Sequence, residues 1–201
     1  MVVTTGLWVA GAWRVVLGAE REPAPDGLGL VVAGTWSDTQ AERVRAFVER
    51  NTSVAVRLRP DPVPPANEPL VDLRDGLQVE RHPEDAALVV LYNGAGTFEP
   101  HSVYDYDAVV AIINLPVIAH DDEETFLRRV EKLTIRSFGL LLDVPLVPNP
   151  HSALWTYRTT EELDFMGRNF DPPSLLRFQE NAAALGIPLL SKSPFLLLRE
   201  E

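Results

Sequence analysis

The 201-residue sequence contains no cysteine. A disulfide framework, a thiolate nucleophile and a cysteine-ligated metal centre are therefore excluded, and the redox compartment stays open. Positive charge is scarce as well: 18 Lys and Arg stand against 29 Asp and Glu, a formal net charge of −11. Such a field opposes phosphate backbones and anionic lipid, so neither nucleic acid nor a membrane surface is an expected partner. Glycine-rich phosphate loops are missing, since Ala33-Gly34-Thr35-Trp36 has neither the G-x-G-x-x-G nor the P-loop spacing. No G-x-S-x-G elbow occurs, and Ser102, Ser137 and Ser152 each lack that setting, which argues against a Ser-His-Asp hydrolase. The apolar stretch 7–17 (LWVAGAWRVVL) is interrupted by Arg14 and followed by Glu20, Arg21 and Glu22. It falls short of the roughly 20 apolar residues of a membrane span, and no basic residue precedes it as a signal peptide requires. A cytoplasmic protein is expected.

The 46% apolar content suits one well-buried domain. The expected divisions are an N-terminal apolar segment and linker (1–27), a domain (28–186) and an apolar tail (187–201). Residues 28–36 (LGLVVAGTW) read as a strand and 53–58 as a second. Between them lies a helix capped by Ser37 or Asp38, with Ala41, Val44, Phe47 and Val48 as its stripe and Asn51 as its end. Residues 59–69 (RPDPVPPANEP) read as a proline-rich loop. Residues 86–92 (AALVVLY) and 108–117 (AVVAIINLPV) are continuous apolar runs, the mark of strands covered on both faces and placed mid-sheet. Strand, helix, strand is an α/β opening.

The stretch 93–107 (NGAGTFEPHSVYDYD) is polar and aromatic and belongs at the sheet's edge or end. His101, Asp105 and Asp107, with His120 beside Asp121 and Asp122, are the residue types for a borderline metal or a relocated catalytic site. Their spacing matches no ligand pattern, and the alternation of Tyr104 and Tyr106 with the two acids suits an edge strand better.

Residues 121–143 (DDEETFLRRVEKLTIRSFGLLLD) form the most legible segment. Acidic residues open it, where a helix macrodipole favours them. Phe126, Val130, Leu133, Ser137 or Phe138, and Leu141 then share one apolar stripe. Thr125, Arg129, Lys132, Arg136 and Asp143 share a second, polar face. Three prolines in 144–150 stop the helix near Leu142 or Asp143. Aromatic residues at 152–157, a short turn at Thr159, Thr160, Glu161, Glu162 and Asp164, and a last helix introduced by Pro172 and Pro173 and stopped by Gly186 complete the domain. The tail at 194–201 (PFLLLREE) is apolar enough to pack on the chain or to join copies of it.

The run from this helix through VPLVPNPHSALW, TTEELD and NFDPPS resembles the core of the archaemetzincins, zinc metalloproteases with an H-E-x-x-H-x-x-G-x-x-H helix and a Met-turn. A family lysine four residues before the first zinc histidine aligns with Lys132. Without gaps, the three histidines fall on Arg136, Leu140 and Leu146, the catalytic glutamate on Ser137, the motif glycine on Asp143 and the Met-turn on Leu154. Family cysteines fall on Val147, Ser152, Asp171 and Ser174, while E-E-x-D persists as Glu161, Glu162 and Asp164 and Gly139, Asn149 and Pro150 fit family habits. Zinc requires N, S or O ligands at about 2.0–2.3 Å, which neither Arg nor Leu supplies.

The resemblance implies a zincin-like α/β (α+β) fold. A mixed, mostly parallel sheet would pack on an N-terminal helix and a central helix, with a small helical C-terminal part. It also implies a catalytically inactive, pseudo-protease domain with no cofactor, no metal and no catalytic residues, binding an unknown protein or peptide. Arg136 would project into the former metal site with Asp143 as its partner, or else lie on a solvent face. The rival readings are an enzyme with a relocated site at 93–107 and a structural protein that self-associates through its tail.

Overall fold

The structure, a computed structural model, describes residues 24–63, 81–94 and 100–190. The apolar segment 7–17, most of the proline-rich stretch and the tail 194–201 lie outside them. The described residues form β1 (Gly27–Gly34), α1 (Asp38–Thr52), β2 (Val56–Val63), β3 (Asp85–Asn93), β4 (Ser102–Asp105) and β5 (Val110–Asn114). A 3₁₀ turn (Pro116–Ile118), α2 (Glu123–Leu141), α3 (Thr160–Phe165) and α4 (Pro172–Ala184) follow. None of the described helices is long and apolar enough to cross a membrane.

Among these residues the strands make one sheet in the order β2-β1-β3-β5-β4. The pairs β1–β2, β1–β3 and β3–β5 are parallel, and β4 closes the edge antiparallel to β5. The two continuous apolar runs are thus β3, at the centre, and β5, both covered on their two faces. Their alternation divides the core. Leu28, Leu30, Val89, Leu91, Ala111 and Ile113 join the cluster of Val44, Phe47, Val130, Leu133 and Phe138. Val31, Ala33, Leu88, Val90, Tyr92, Val110 and Ile112 pack together separately, as the period-2 strand geometry dictates. Each fully buried side chain of this kind contributes about 1.5–3 kcal/mol relative to exposure.

Four boundaries differ from expectation. Helix α1 runs past Asn51, whose Nδ2 donates to the Phe47 carbonyl at 2.7 Å, and stops at Ser53 in the left-handed region, φ 61°. Strand β2 consequently begins at Val56, and it continues through Pro60 to Val63 where a loop was expected. Proline is tolerated there because β2 lies at the sheet's edge, and the register with β1 skips from Arg59 to Val63 across the prolines. Strand β5 ends at Asn114 because Pro116 cannot donate and opens the 3₁₀ turn.

Helix α2 starts as its sequence predicts. Asp122 caps it, accepting from Thr125 N–H at 2.8 Å, and Glu123 and Glu124 occupy the first turn. The polar side looks onto polar groups of the chain itself and not onto solvent. Every residue from Arg129 to Gly139 is buried, so the helix is enclosed on all faces. On one side Glu131, only 1% exposed, accepts from Arg43 Nε at 3.2 Å and from Arg168 Nε at 2.9 Å, tying α2 to α1 and to the segment after α3.

Candidate functional site

The basic residues Arg129, Lys132 and Arg136 are spaced i, i+3, i+7 and share one face of α2, and each is only 7% exposed. Arg129 is saturated. Its Nε and Nη2 grip Asp164 at 2.7 and 2.6 Å, and Nη1 donates to the Ile118 and Ala119 carbonyls at 3.1 Å. That hydrogen bonding holds the Asp164 carboxyl below the usual aspartate range and raises Arg129. Lys132 donates to the Leu163 and Asp164 carbonyls at 2.9 and 2.7 Å, while desolvation pushes its pKa down. Within the E-E-x-D segment Asp164 is therefore the counterpart of both buried cations, by its carboxylate to Arg129 and its carbonyl to Lys132, while Glu162 accepts from Arg158 N–H at 2.6 Å and the preceding Thr159 caps α3.

Arg136 is held differently. Nη1 donates to the Ala153 and Trp155 carbonyls at 3.1 and 2.7 Å, and Cζ lies 5.3 Å from the centroid of the Tyr157 ring. No carboxylate among the described residues pairs with it. Among the described residues Nε and Nη2 have no partner, and neither is closed off from solvent. Asp143, expected as its partner, lies seven residues on, about 10.5 Å along the helix axis, and has a different task. It takes φ 58°, while Val144 N–H reaches the Gly139 carbonyl at 2.9 Å and Asp143 N–H the Leu140 carbonyl at 3.2 Å. This is a Schellman stop, in which the left-handed residue usually is glycine. The position that aligns with the motif glycine has kept the glycine conformation with another side chain.

Ser137 is wholly buried, with its Oγ 3.3 Å from Tyr104 Oη, and Ser102 Oγ donates to the same Oη at 3.1 Å. Edge strand β4 is thereby linked to α2 at the residue aligned with the catalytic glutamate. Beside this link His101 stacks on Tyr157, ring centroids 5.6 Å apart. Pro100, His101, Ser102, Tyr157 and Arg158 line a hollow of about 220 Å³. Burial, then the Arg129 charge, lowers the His101 pKa; burial raises the Tyr157 phenol.

The remaining positions sit apart or beneath. Leu154 is fully buried next to the carbonyls that hold Arg136, under Gly139, where a Cβ would stand 3.1 Å from Leu154 Cδ2 and 2.9 Å from Phe170 Cζ. Leu140 is half-buried, and Leu146 is 47% exposed beyond the helix end. Three of the positions aligned with family cysteines come together: Ser152 Oγ accepts from Asp171 N–H at 3.4 Å, and Asp171 accepts from Ser174 N–H and Oγ at 3.1 and 3.0 Å. Of the alternative set, only His101 borders the hollow. Asp105 caps its own turn, accepting from the Asp107 and Ala108 N–H groups, Asp107 is exposed, and His120 Nδ1 accepts from Asp122 N–H. Among the described residues no group of three or more His, Cys, Asp or Glu could hold a metal.

Ser102 lies in the 93–107 stretch singled out above, whereas Tyr157 and Arg158 were not legible as site residues. For Tyr157 the sequence signal was the aromatic run at 152–157, which pointed to packing.

No family model and no curated protein matches the sequence. Solved structures do match the fold. An archaemetzincin from Methanopyrus kandleri superposes with a TM-score of 0.64 at 15% identity, covering 82% of this chain and 99% of that one. A zinc-dependent peptidase from Methanocorpusculum labreanum gives 0.57 at 14% identity, over 76% and 100% of the two chains. An archaemetzincin from Archaeoglobus fulgidus, complexed with malonate, gives 0.56 at 12% identity, over 74% and 98%. The chain thus has an archaemetzincin-like fold, a mixed α/β architecture around a five-stranded, mostly parallel sheet.

Proposed function

We propose that this chain is a binding protein on a metzincin-like scaffold, a pseudo-protease whose hollow beside β4 holds a protein or peptide partner without zinc-dependent hydrolysis. One observation carries the reading: at the position aligned with the first zinc histidine stands the guanidinium of Arg136, a fixed cation with free donors. A cation there opposes a dication, and Leu140 and Leu146 at the other two ligand positions have no donor atom. Ser137, in place of the catalytic carboxylate, is a neutral hydroxyl engaged with Tyr104. The solved neighbours are zinc peptidases by description, and the scaffold is what this chain shares with them. A cytoplasmic setting is part of the same proposal.

A relocated enzyme at 93–107 has less support. Among the described residues no hydrogen bond joins His101 to a serine or carboxylate that could orient it as a base.

The test is a peptide-library digestion by the purified chain with zinc added and with a chelator added. No cleavage above buffer is expected in either. Chelator-sensitive cleavage would refute the reading, and chelator-insensitive cleavage lost in His101→Ala would favour the relocated enzyme.

A further inference from the structure

We propose that the hollow beside Arg136 is a carboxylate site, taking either the free C-terminus of a peptide or a small carboxylic acid. The inference deepens the binding function above and rests on it. Its basis is a local inversion of charge. The whole chain carries −11, yet one face of α2 buries three cations, Arg129, Lys132 and Arg136, against one contacting carboxylate, Asp164. Glu161 acts on Arg129 only from further away. Arg129 takes both oxygens of Asp164, and Lys132 is satisfied by two carbonyls. Arg136 is left over.

A guanidinium more than nine-tenths buried, held by two carbonyls and one ring face, is a charge whose desolvation is only partly compensated. Its unused donors, Nε and Nη2, form the side-on edge whose parallel N–H groups match the two oxygens of a carboxylate. Arg136 does not itself line the hollow; the Tyr157 ring, whose centroid is 5.3 Å from Arg136 Cζ, does so together with Pro100, His101, Ser102 and Arg158, and places the guanidinium next to it. Arg158 is exposed at this rim and adds a second positive charge.

Size and charge narrow the ligand. About 220 Å³ is smaller than the roughly 300–1,000 Å³ that encloses a whole drug-sized molecule, so the hollow fits one end of a ligand or a very small one. One unpaired guanidinium balances one negative charge, and the acidic chain disfavours a dianion such as phosphate.

The experiment follows the Arg136 Nε–H resonance in the intact chain during titration with sodium acetate, with the tripeptide Ala-Ala-Phe, and with its C-terminal amide. Sodium chloride at equal ionic strength is the baseline. A saturable shift with acetate and with the free tripeptide, and at least about tenfold weaker binding of the amide, is expected. If the tripeptide binds about tenfold or more tighter than acetate, a peptide end is the source; equal affinity assigns a small acid. Arg136→Lys, which keeps the charge and loses the fork, should weaken the free tripeptide about tenfold. No saturable shift with either carboxylate, or equal binding of tripeptide and amide, overturns the site. Zinc in the same sample would overturn the parent reading instead, whereas an unshifted resonance in zinc-free protein removes the carboxylate site alone.

Discussion

Arg129 and Asp164, 35 residues apart, meet in a two-pronged ion pair with contacts of 2.7 and 2.6 Å. The pair fastens α3 and its flanking segment to the central helix, and its arginine is buried while the aspartate side chain is 38% exposed. Removing the carboxylate leaves a buried cation with only carbonyl partners. Asp164→Asn should therefore destabilise the fold by about 1–3 kcal/mol, the partial exposure of Asp164 placing it below a fully buried pair. Its pH dependence has a definite sign. The folded-state pKa of Asp164 is depressed, first by the Arg129 hydrogen bond, so its contribution is complete above the unfolded value of about 3.9 and is lost as pH falls through the folded value. Urea unfolding from pH 3 to pH 6 should show the difference from Asp164→Asn full at pH 6 and shrinking below about pH 4. A constant difference would contradict the assignment.

Asp143 holds φ 58° in the Schellman stop of α2. Asp143→Gly should raise stability by about 0.5–1 kcal/mol, because the relief of left-handed strain exceeds the added flexibility of the unfolded chain. Asp143→Val should lower it by about 1–2 kcal/mol, since a β-branched side chain suits that region least. Thermal unfolding midpoints of the two variants settle the ordering, and a Val variant as stable as the Gly variant would dismiss the strain.

Gly139 gives an opposite expectation from the same helix. Alanine is worth about 1 kcal/mol over glycine in a helix interior. Here, however, a Cβ would stand 2.9 and 3.0 Å from Phe170 Cζ and Cε1 and 3.1 Å from Leu154 Cδ2. Gly139→Ala should lose about 1–3 kcal/mol to overpacking. Stabilisation on that substitution would mean that the turn bearing Leu154 does not press on the helix as described.

How far this fold could be read from residues depended on the range of the interactions. Runs whose pattern decides their state were legible: β3 and β5 by unbroken apolar content, the apolar stripe of α1 by its spacing, and α2 by its acidic start and proline-bounded end. Hidden from the pattern was the fate of the polar face of α2. Arg129, Lys132 and Arg136 read from their spacing only as one polar face, and they are buried because partners 17 to 35 residues downstream come back over them. Periodicity reports what one helix can do alone, and nothing in it records a carbonyl at Ala153 or a carboxylate at Asp164. Arg136 was legible as a replacement, through its alignment with the first motif histidine. Its setting among Tyr157, His101 and two carbonyls required coordinates.

The binding reading meets its most direct test in metal analysis. The chain is expressed in zinc-supplemented medium, purified without chelator and measured by inductively coupled plasma mass spectrometry beside the variant Arg136→His. The account predicts far less than one zinc per chain for the native sequence. About one zinc per chain, retained through gel filtration and lost from a variant near residue 136, would contradict it.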